Sequence, residues 1–141
     1  MTAITPRLVD AVIDYDRAFF PAPRLNFLRC WLTTKQHRGM VILENGAVRG
    51  YGVVRPCRQG FKIGPLFANS VDRADLLFCA LAQQADHAPI FLDCPEPNVS
   101  ATELALKYGL SPVFETARMY RGQEPVLPLA RIFGITTFEL G

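Results

Sequence analysis

The stretch Gly50–Leu81 constrains the fold of this chain more than any other. Gly50–Arg55 alternates between two sides as a strand does, and Phe61–Ala68 is a second extended run after a four-residue turn. Asn69 and Ser70 are residue types that cap helices, and apolar side chains then follow at helical spacing. The sequence therefore predicts two antiparallel strands that run directly into a helix.

Gly64-Pro65 interrupts the second of these strands. Because proline cannot donate a ladder hydrogen bond, the strand should end, bend or lose a neighbour at that point. A strand that loses its neighbour and then enters a helix leaves a cleft lined by unpaired backbone groups. Since free N–H groups and the helix dipole attract phosphate, we expect an anion site where Phe61–Ala68 meets the helix near Ser70.

Composition limits the classes of protein to which the chain can belong. With 141 residues, half of them hydrophobic and 20% charged, it should form one globular domain over residues 1–141. The net charge of +2 comes from scattered basic residues, which argues against a nucleic-acid partner, and no apolar run is long enough to span a membrane. Four cysteines without a CxxC pair and two histidines predict free thiols, a cytoplasmic location and no metal site.

The remaining segments predict the rest of the sheet. Two short helices precede the strand Met40–Glu44, and Asn45-Gly46 is a strong hairpin signal. Ile90–Cys94 is a short apolar strand after the long helix. A strand, a helix and a strand in one sheet require a parallel pairing, so Ile90–Cys94 should lie parallel to Phe61–Ala68.

The C-terminal part is predicted to contain one helix and two strands. Ser100 and Glu103 have the spacing of a capping box, and Gly109 should close the helix that they begin. Val113–Tyr120 and Gly134–Leu140 are the two further strands. Together these elements predict an α+β fold, with about six strands in a mixed sheet and about four helices.

Several short segments occur in a fixed order over about residues 9 to 141. They are Asp16…Phe20…Arg24, Gly50-Tyr51, Arg55-Pro56, Ile63–Ala68, Leu92–Pro95 with Asn98, Tyr108–Leu110, Arg118–Gly122 and Phe138–Gly141. With the predicted order of helices and strands, they resemble the Gcn5-related N-acetyltransferase (GNAT) superfamily. More narrowly, the chain is similar to the C-terminal domain of two-domain bacterial members.

The resemblance implies that acetyl-CoA binds where the two parallel strands separate. In that superfamily the pantetheine pairs with the first of these strands, and the pyrophosphate lies on the helix that follows it. The candidate cofactor-binding residues are therefore Leu66, Phe67, Ala68, Asn69, Ser70, Val71 and Arg73, together with Asn98. The Asn98 amide could instead order the turn before the next helix.

This chain departs from the superfamily pattern at two places. The pyrophosphate loop usually contains glycines that let phosphate approach the backbone, but residues 67–74 contain none. We therefore expect a modest affinity for CoA, with a Kd on the order of tens to hundreds of micromolar. Many members also carry a tyrosine four residues before the closing glycine, where it protonates the leaving thiolate; here that position is Ala105.

The candidate catalytic residues are Asp93, Glu96 and Tyr108. Asp93 and Glu96 follow the buried strand at the cleft and could act as general base for an amine, although Asp93 could equally hydrogen-bond the backbone of the turn. Tyr108 could act as an acid, or it could be a core residue at the helix end. Cys94 would be reactive only if its pKa were depressed.

Two functions of different classes remain open. The first is an acyl-CoA-dependent N-acyltransferase that moves an acetyl group from acetyl-CoA to an amine of unknown identity. The second is a catalytically silent GNAT-like module that binds a ligand or a partner domain. In the proteins that the chain resembles, this domain lies beside a second GNAT domain. We therefore expect a homodimer here, formed through Phe133–Leu140.

Overall fold

A mixed sheet of six strands forms the centre of the molecule, in a computed structural model that describes residues 1–139. The strands are β1 (Thr2–Ala3), β2 (Arg38–Glu44), β3 (Ala47–Cys57), β4 (Gly60–Ala68), β5 (Ile90–Leu92) and β6 (Ile132–Gly134). The α-helices are α1 (Val9–Asp16), α2 (Leu25–Thr33), α3 (Val71–Ala82) and α4 (Val99–Lys107). The predicted α+β fold is confirmed. None of the helices in residues 1–139 has the length and apolarity needed to cross a membrane.

The sheet order is β1-β2-β3-β4-β5, and β6 also pairs with β4. Asn45 and Gly46 join β2 to β3 with φ angles of 51° and 76°, the left-handed conformation that a tight hairpin turn requires. Strands β1 to β4 pair antiparallel, whereas β5 pairs parallel with β4. The predicted hairpin at Asn45-Gly46, the predicted antiparallel pair and the predicted parallel pairing are therefore all confirmed.

Both faces of the sheet are covered by helices. Tyr51 and Val53 pack with Val12 of α1 in one cluster of buried side chains, while Val54 packs with Leu77 of α3 in another. Alternation along β3 thus sends successive side chains to opposite faces, as the sequence pattern predicted. The two clusters hold the end of β4 between α1 and α3.

Two strand predictions near the C-terminus are wrong. The segment 111–128, called the arm below, contains no strand, so Val113–Tyr120 has no ladder partner, and the exposed fractions of Val113 and Met119 are 76% and 86%. The last strand is Ile132–Gly134 and not Gly134–Leu140, whose Leu140 lies outside the described residues. A two-residue strand at the N-terminus, β1, was not predicted because so short a run has no sequence signal.

Helix α4 begins one residue before the predicted cap. Asn98 occupies the N-cap position and makes no side-chain capping bond, so the predicted Ser100–Glu103 capping box is wrong. Gly109 has a φ of 73°, and the Leu110 N–H donates to the Ala105 carbonyl at 3.0 Å. That geometry confirms the predicted termination of the helix by glycine.

The predicted dimer surface does not match the structure at its first residue. Phe133 is completely buried within the chain, packed in the same cluster as Leu77 of α3. A side chain that is already covered cannot supply apolar area to a partner, so Phe133 itself is excluded, and the rest of the predicted interface at Phe133–Leu140 stays a prediction. The arm instead carries the exposed apolar side chains of this region.

Candidate active site

The edge of β4 changes its partner in the middle of the strand. Strand β5 pairs only with Phe61–Ile63, so the neighbour is lost at Gly64-Pro65, as predicted. Beyond that point β6 takes the same edge, and its register places Gly134 opposite Leu66 and Ile132 opposite Phe67. The backbone of β4 is therefore paired on this edge, and the prediction of a cleft lined by unpaired groups is wrong.

Strand β4 leads directly into the N-terminus of α3. Ser70 is the N-cap, and its hydroxyl accepts a hydrogen bond from the Arg73 N–H at 3.4 Å. This confirms the predicted cap and places the first turn of α3 at the end of β4. The Asn69 N–H already donates to the Arg49 carbonyl at 2.9 Å, which reduces the number of amides free for an anion.

The guanidinium of Arg73 faces Glu44 from the neighbouring strand β2. Its Nε and Nη2 atoms donate to the two carboxylate oxygens of Glu44, each at 2.8 Å, and Nη1 donates to the Ser70 hydroxyl at 2.9 Å. The hydrogen bonds from Arg73 lower the pKa of Glu44. Arg49 lies 3.9 Å from the same carboxylate. Glu44 therefore neutralises part of the charge that was predicted to be free for phosphate.

A third arginine, Arg131, also approaches the junction. The Nη2 atom of Arg131 donates to Asn69 Oδ1 at 2.6 Å, and the Tyr15 hydroxyl donates to the same oxygen at 2.8 Å. The Arg131 guanidinium lies over the rings of Tyr15 and Phe19, 5.3 and 4.9 Å from their centroids. Burial raises the pKa of Tyr15, so this tyrosine keeps its proton.

Sequence reasoning missed three members of this junction. Arg49, Arg131 and Tyr15 come from β3, from the turn before β6 and from α1, and they lie 20 to 62 residues from Asn69 in the chain. No local motif connects them. The structure thus gathers three arginines around the start of α3, against the carboxylates of Glu44 and Asp72.

The predicted general bases differ in their surroundings. Asp93 is buried and forms an ion pair with Lys62 of β4, with 2.6 Å between Nζ and Oδ2. Glu96 is exposed in the turn before α4. Burial, followed by the charge of Asp93, raises the pKa of Cys94 to about 11, so its thiol is not activated. In residues 1–139 no group of three or more His, Cys, Asp or Glu side chains could hold a metal ion.

Tyr108 turns towards α3. Its hydroxyl donates to Asp75 Oδ1 at 2.8 Å and lies 2.9 Å from the Cys79 sulfur, and its ring stacks on Phe78. These hydrogen bonds raise the pKa of Tyr108, and the bond with Cys79 contributes more than the bond with Asp75. The structure thus gives Tyr108 partners on α3, while Asp93 pairs with β4, and it does not bring these two candidates into contact. Their catalytic roles stay predictions.

A buried polar network lies beside the β4–β6 pairing. The guanidinium of Arg24 donates to both carboxylate oxygens of Asp16, at 2.7 and 2.8 Å, and the Tyr51 hydroxyl donates to Asp16 Oδ1. Arg24 Nη1 also donates to the Thr136 hydroxyl at 3.0 Å. Asp16 and Thr136 have exposed fractions of 1% and 0%, so this network ties α1, β3 and the residues after β6 together in the interior.

An apolar cavity of about 190 Å³ opens next to the same pairing. It lies between the end of α1, the end of β4, the arm and β6. Its walls are formed by Phe19, Phe20, Pro21, Phe67, Arg118, Tyr120, Leu127, Ile132 and Ile135. Phe19 and Phe67 also stack on one another, with 4.4 Å between ring centroids, so the inner wall belongs to the core. Arg118, an exposed residue of the arm, supplies the charged group of the lining.

Known proteins share the sequence and the fold of this chain. The chain is 32% identical over 139 residues to holothin acyltransferase of Pseudoalteromonas sp. (strain SANK 73390), covering 98% of this chain and 47% of that protein. A Pyrococcus horikoshii structure assigned as an acetyltransferase superposes with a TM-score of 0.80 and 25% identity, over 100% of this chain and 46% of the other. The chain thus spans about half the length of these relatives.

A shorter protein shares the fold over nearly its whole length. An aminoglycoside N-acetyltransferase, solved in complex with CoA, superposes with a TM-score of 0.66 at 11% identity, over 86% of this chain and 93% of the other. The family of acetyltransferase (GNAT) domains matches residues 12–134, a range that begins in α1 and ends with β6. The sheet, the parallel β4–β5 pair and the helix that joins them are therefore those of the GNAT acetyltransferase family, and this chain belongs to it.

Proposed function

We propose that this chain is an acyl-CoA-dependent N-acyltransferase domain that transfers an acetyl group from acetyl-CoA to an amine. The observation that carries the proposal is the junction between β4 and α3, where Arg49, Arg73 and Arg131 surround a helix N-terminus. Three guanidinium groups outweigh the charges of Glu44 and Asp72, and a helix N-terminus favours anions. The junction is thus suited to phosphate groups even without loop glycines.

The chemistry asks little of the protein beyond orientation. The neutral amine nitrogen forms a bond to the thioester carbonyl carbon, the C–S bond breaks, and the thiolate takes up the proton that the nitrogen releases. Holding the two reactants in contact supplies much of such a rate. Asp93 could accept the proton in transit only by weakening its ion pair with Lys62. We therefore assign the larger part of the rate enhancement to the positioning of the amine against the thioester, and the smaller part to proton transfer by Asp93.

The apolar cavity beside Phe67 is the proposed place for the acceptor. Its lining is aromatic and aliphatic apart from Arg118, whose guanidinium lies 3.5 Å from the Tyr120 hydroxyl. Apolar walls stabilise apolar substituents by removing them from water. We expect an amine that carries an apolar group of a few carbon atoms, which a cavity of about 190 Å³ can hold.

The test is binding of CoA to the wild type and to one charge variant. The Arg49 side chain is 41% exposed and its ion pair with Glu44 is long, at 3.9 Å, so Arg49→Gln should leave the unliganded melting temperature nearly unchanged. It should weaken CoA binding about three- to tenfold because one positive charge near the phosphates is lost. The matched control is Arg17→Gln, directly after α1 and 69% exposed beside Asp14, which should change neither quantity.

Saturation is the second part of the test. CoA at ~100 times its Kd should stabilise the fold by about 2.7 kcal/mol, and acetyl-CoA with an amine should release free thiol. The amines to be tested with acetyl-CoA are a series that carry apolar groups of different sizes. If millimolar CoA leaves the melting temperature of the wild type unchanged, and none of these amines releases free thiol from acetyl-CoA, the acyltransferase proposal is refuted.

A second candidate function is a catalytically silent module of the same family. The observation that favours it is the pairing of β6 with β4, since it covers the edge that would receive pantetheine. Ala105 also favours this function, because many members carry a tyrosine at that position and alanine cannot donate a proton. In that case the chain would pair with a second GNAT domain and bind no acyl-CoA.

A further inference from the structure

The residues after the arm fill the space between β4 and β5. Beyond Ile63, where β5 leaves β4, Ile132 and Gly134 pair with Phe67 and Leu66 of β4. One residue later, the Ile135 N–H donates to the carbonyl oxygen of Asp93, directly after β5, at 3.0 Å. The segment 132–136, called the insert below, is therefore hydrogen-bonded to both strands that border the gap.

The insert fits this gap so closely that no second chain of atoms could lie beside it. A Cβ atom built on Gly64 would lie 2.6 Å from the Ile135 carbonyl oxygen and 2.7 Å from that of Thr136. A Cβ atom on Gly134 would lie 2.5 Å from Leu92 Cδ1. Glycine at position 64 permits the contact, because the backbone oxygens cannot move aside as the end of the Leu92 side chain can.

Polar side chains hold the insert at its two ends. The Asn98 amide donates from Nδ2 to the Ile132 carbonyl at 2.8 Å, and Arg24 donates to the Thr136 hydroxyl at 3.0 Å. Asn98 has an exposed fraction of 6%, and Arg24 is itself fixed by Asp16. Both clamps are thus buried, which makes them costly to break without replacement.

We propose that the insert is an intramolecular occupant of the acyl-CoA site, and that acyl-CoA binds this chain only when the insert has left the β4 edge. This inference rests on the proposed function, because it concerns the same edge of β4. An extended ligand with amide groups would need the β4 backbone groups that β6 now uses. The observed affinity is then the intrinsic affinity reduced by the fraction of molecules whose edge is free.

The experiment loosens the insert without changing the α3 junction. In the double variant Gly134→Val with Thr136→Val, the valine at 134 collides with Leu92 and Leu66, and the valine at 136 removes the hydroxyl that Arg24 binds. Calorimetric titration with CoA should give at least tenfold tighter binding than the wild type. The control Thr102→Val removes an exposed hydroxyl that bonds only the Val99 carbonyl, and its Kd should equal that of the wild type.

Hydrogen exchange on the wild type gives a readout that does not depend on the variant's fold. The insert amides, including the Ile135 N–H, should be protected without ligand and should lose protection at saturating CoA. If CoA binds the wild type while these amides stay protected and the double variant gains no affinity, the insert proposal is overturned and the acyltransferase function stands. A different outcome is that neither the wild type nor the double variant binds CoA, while the double variant is folded and its insert amides exchange rapidly. In that case both the acyltransferase proposal and the insert proposal are overturned.

Discussion

The buried ion pair between Asp16 and Arg24 allows a sharp prediction about stability. Replacing Asp16 by Asn keeps the shape of the side chain but leaves the Arg24 guanidinium, 8% exposed, without its counter-charge. Breaking a buried pair by removing one partner typically costs about 3–5 kcal/mol, because the remaining charge stays desolvated. The hydrogen bond from the Tyr51 hydroxyl to the carboxylate is weakened by the same change.

The matched control lies on the same helix. Asp10 pairs with Arg29 at 2.6 Å, a separation close to the 2.7 Å between Asp16 and Arg24, but its side chain is 73% exposed. Because solvent screens that pair, Asp10→Asn should cost at most about 1 kcal/mol. The two variants thus share the chemical change and the helix and differ in burial.

The assay is urea unfolding of the wild type and both variants, with thermal melting as a second readout. A loss of about 3–5 kcal/mol corresponds to a fall in Tm of roughly 10–20 °C for a chain of this size. If Asp16→Asn and Asp10→Asn lose the same free energy of unfolding, both below about 1 kcal/mol, burial does not govern the pair and the reasoning is refuted.

Four further predictions follow from the same geometry. At pH 8, iodoacetamide should alkylate Cys94 about 100-fold more slowly than an exposed thiol such as Cys30, because the pKa of Cys94 is raised from 9.0 to about 11; equal rates would contradict this. Gly64→Ala should lower the free energy of unfolding in urea by about 1–3 kcal/mol, because its Cβ would clash with backbone oxygens of the insert. An unchanged urea midpoint would contradict this prediction, since it would mean that the insert moves away without cost. Burial, followed by the charge of Asp16, raises the pKa of Tyr51 well above 10.0. The contribution of the protonated Tyr51 to the free energy of unfolding is therefore present below pH 10 and is lost as the pH rises through the pKa of the folded state. In Tyr51→Phe, the free energy of unfolding should fall less steeply above pH 10 than in the wild type. Light scattering should report a homodimer formed through the arm, because the arm exposes apolar side chains, and Met119→Glu, at an 86% exposed position, should shift it to monomer; a wild-type monomer at high concentration would refute this.

Local signals in the sequence were sufficient for much of the fold. The Asn45-Gly46 hairpin, the Ser70 cap and the Gly109 terminus depend on backbone conformations and short-range hydrogen bonds that a few residues determine alone. The parallel β4–β5 pair follows from connectivity, because a strand, a helix and a strand in one sheet allow little else. Of these features, the order of helices and strands and the segment around Gly109 contributed to the resemblance to the GNAT superfamily.

Strand partners in the C-terminal part were decided by the tertiary structure. Val113–Tyr120 has a strand-like composition, but a strand needs a partner edge, and in the described part of the chain the arm has none. The edge of β4 was instead taken by Ile132–Gly134, whose strand signal is only three residues long. The pairing of β6 with β4 depends on the space next to Gly64 and Gly134, and the hydrophobic periodicity of the sequence does not indicate that space.

The charges of the candidate site were likewise decided at long range. Arg73 stands in the predicted place, yet its hydrogen bonds go to Glu44, 29 residues away, and the partner of Asn69 is Arg131, 62 residues away. Asp16 lies on the same helical stripe as Val12 and Ile13, but only the fold encloses it with Arg24 and Tyr51. The sequence by itself determined the four α-helices and the strands β2 to β5, because those elements depend on neighbours along the chain. Only the folded chain decided which charges meet and which strand fills the β4 edge, because these depend on distances between segments that the linear order does not contain.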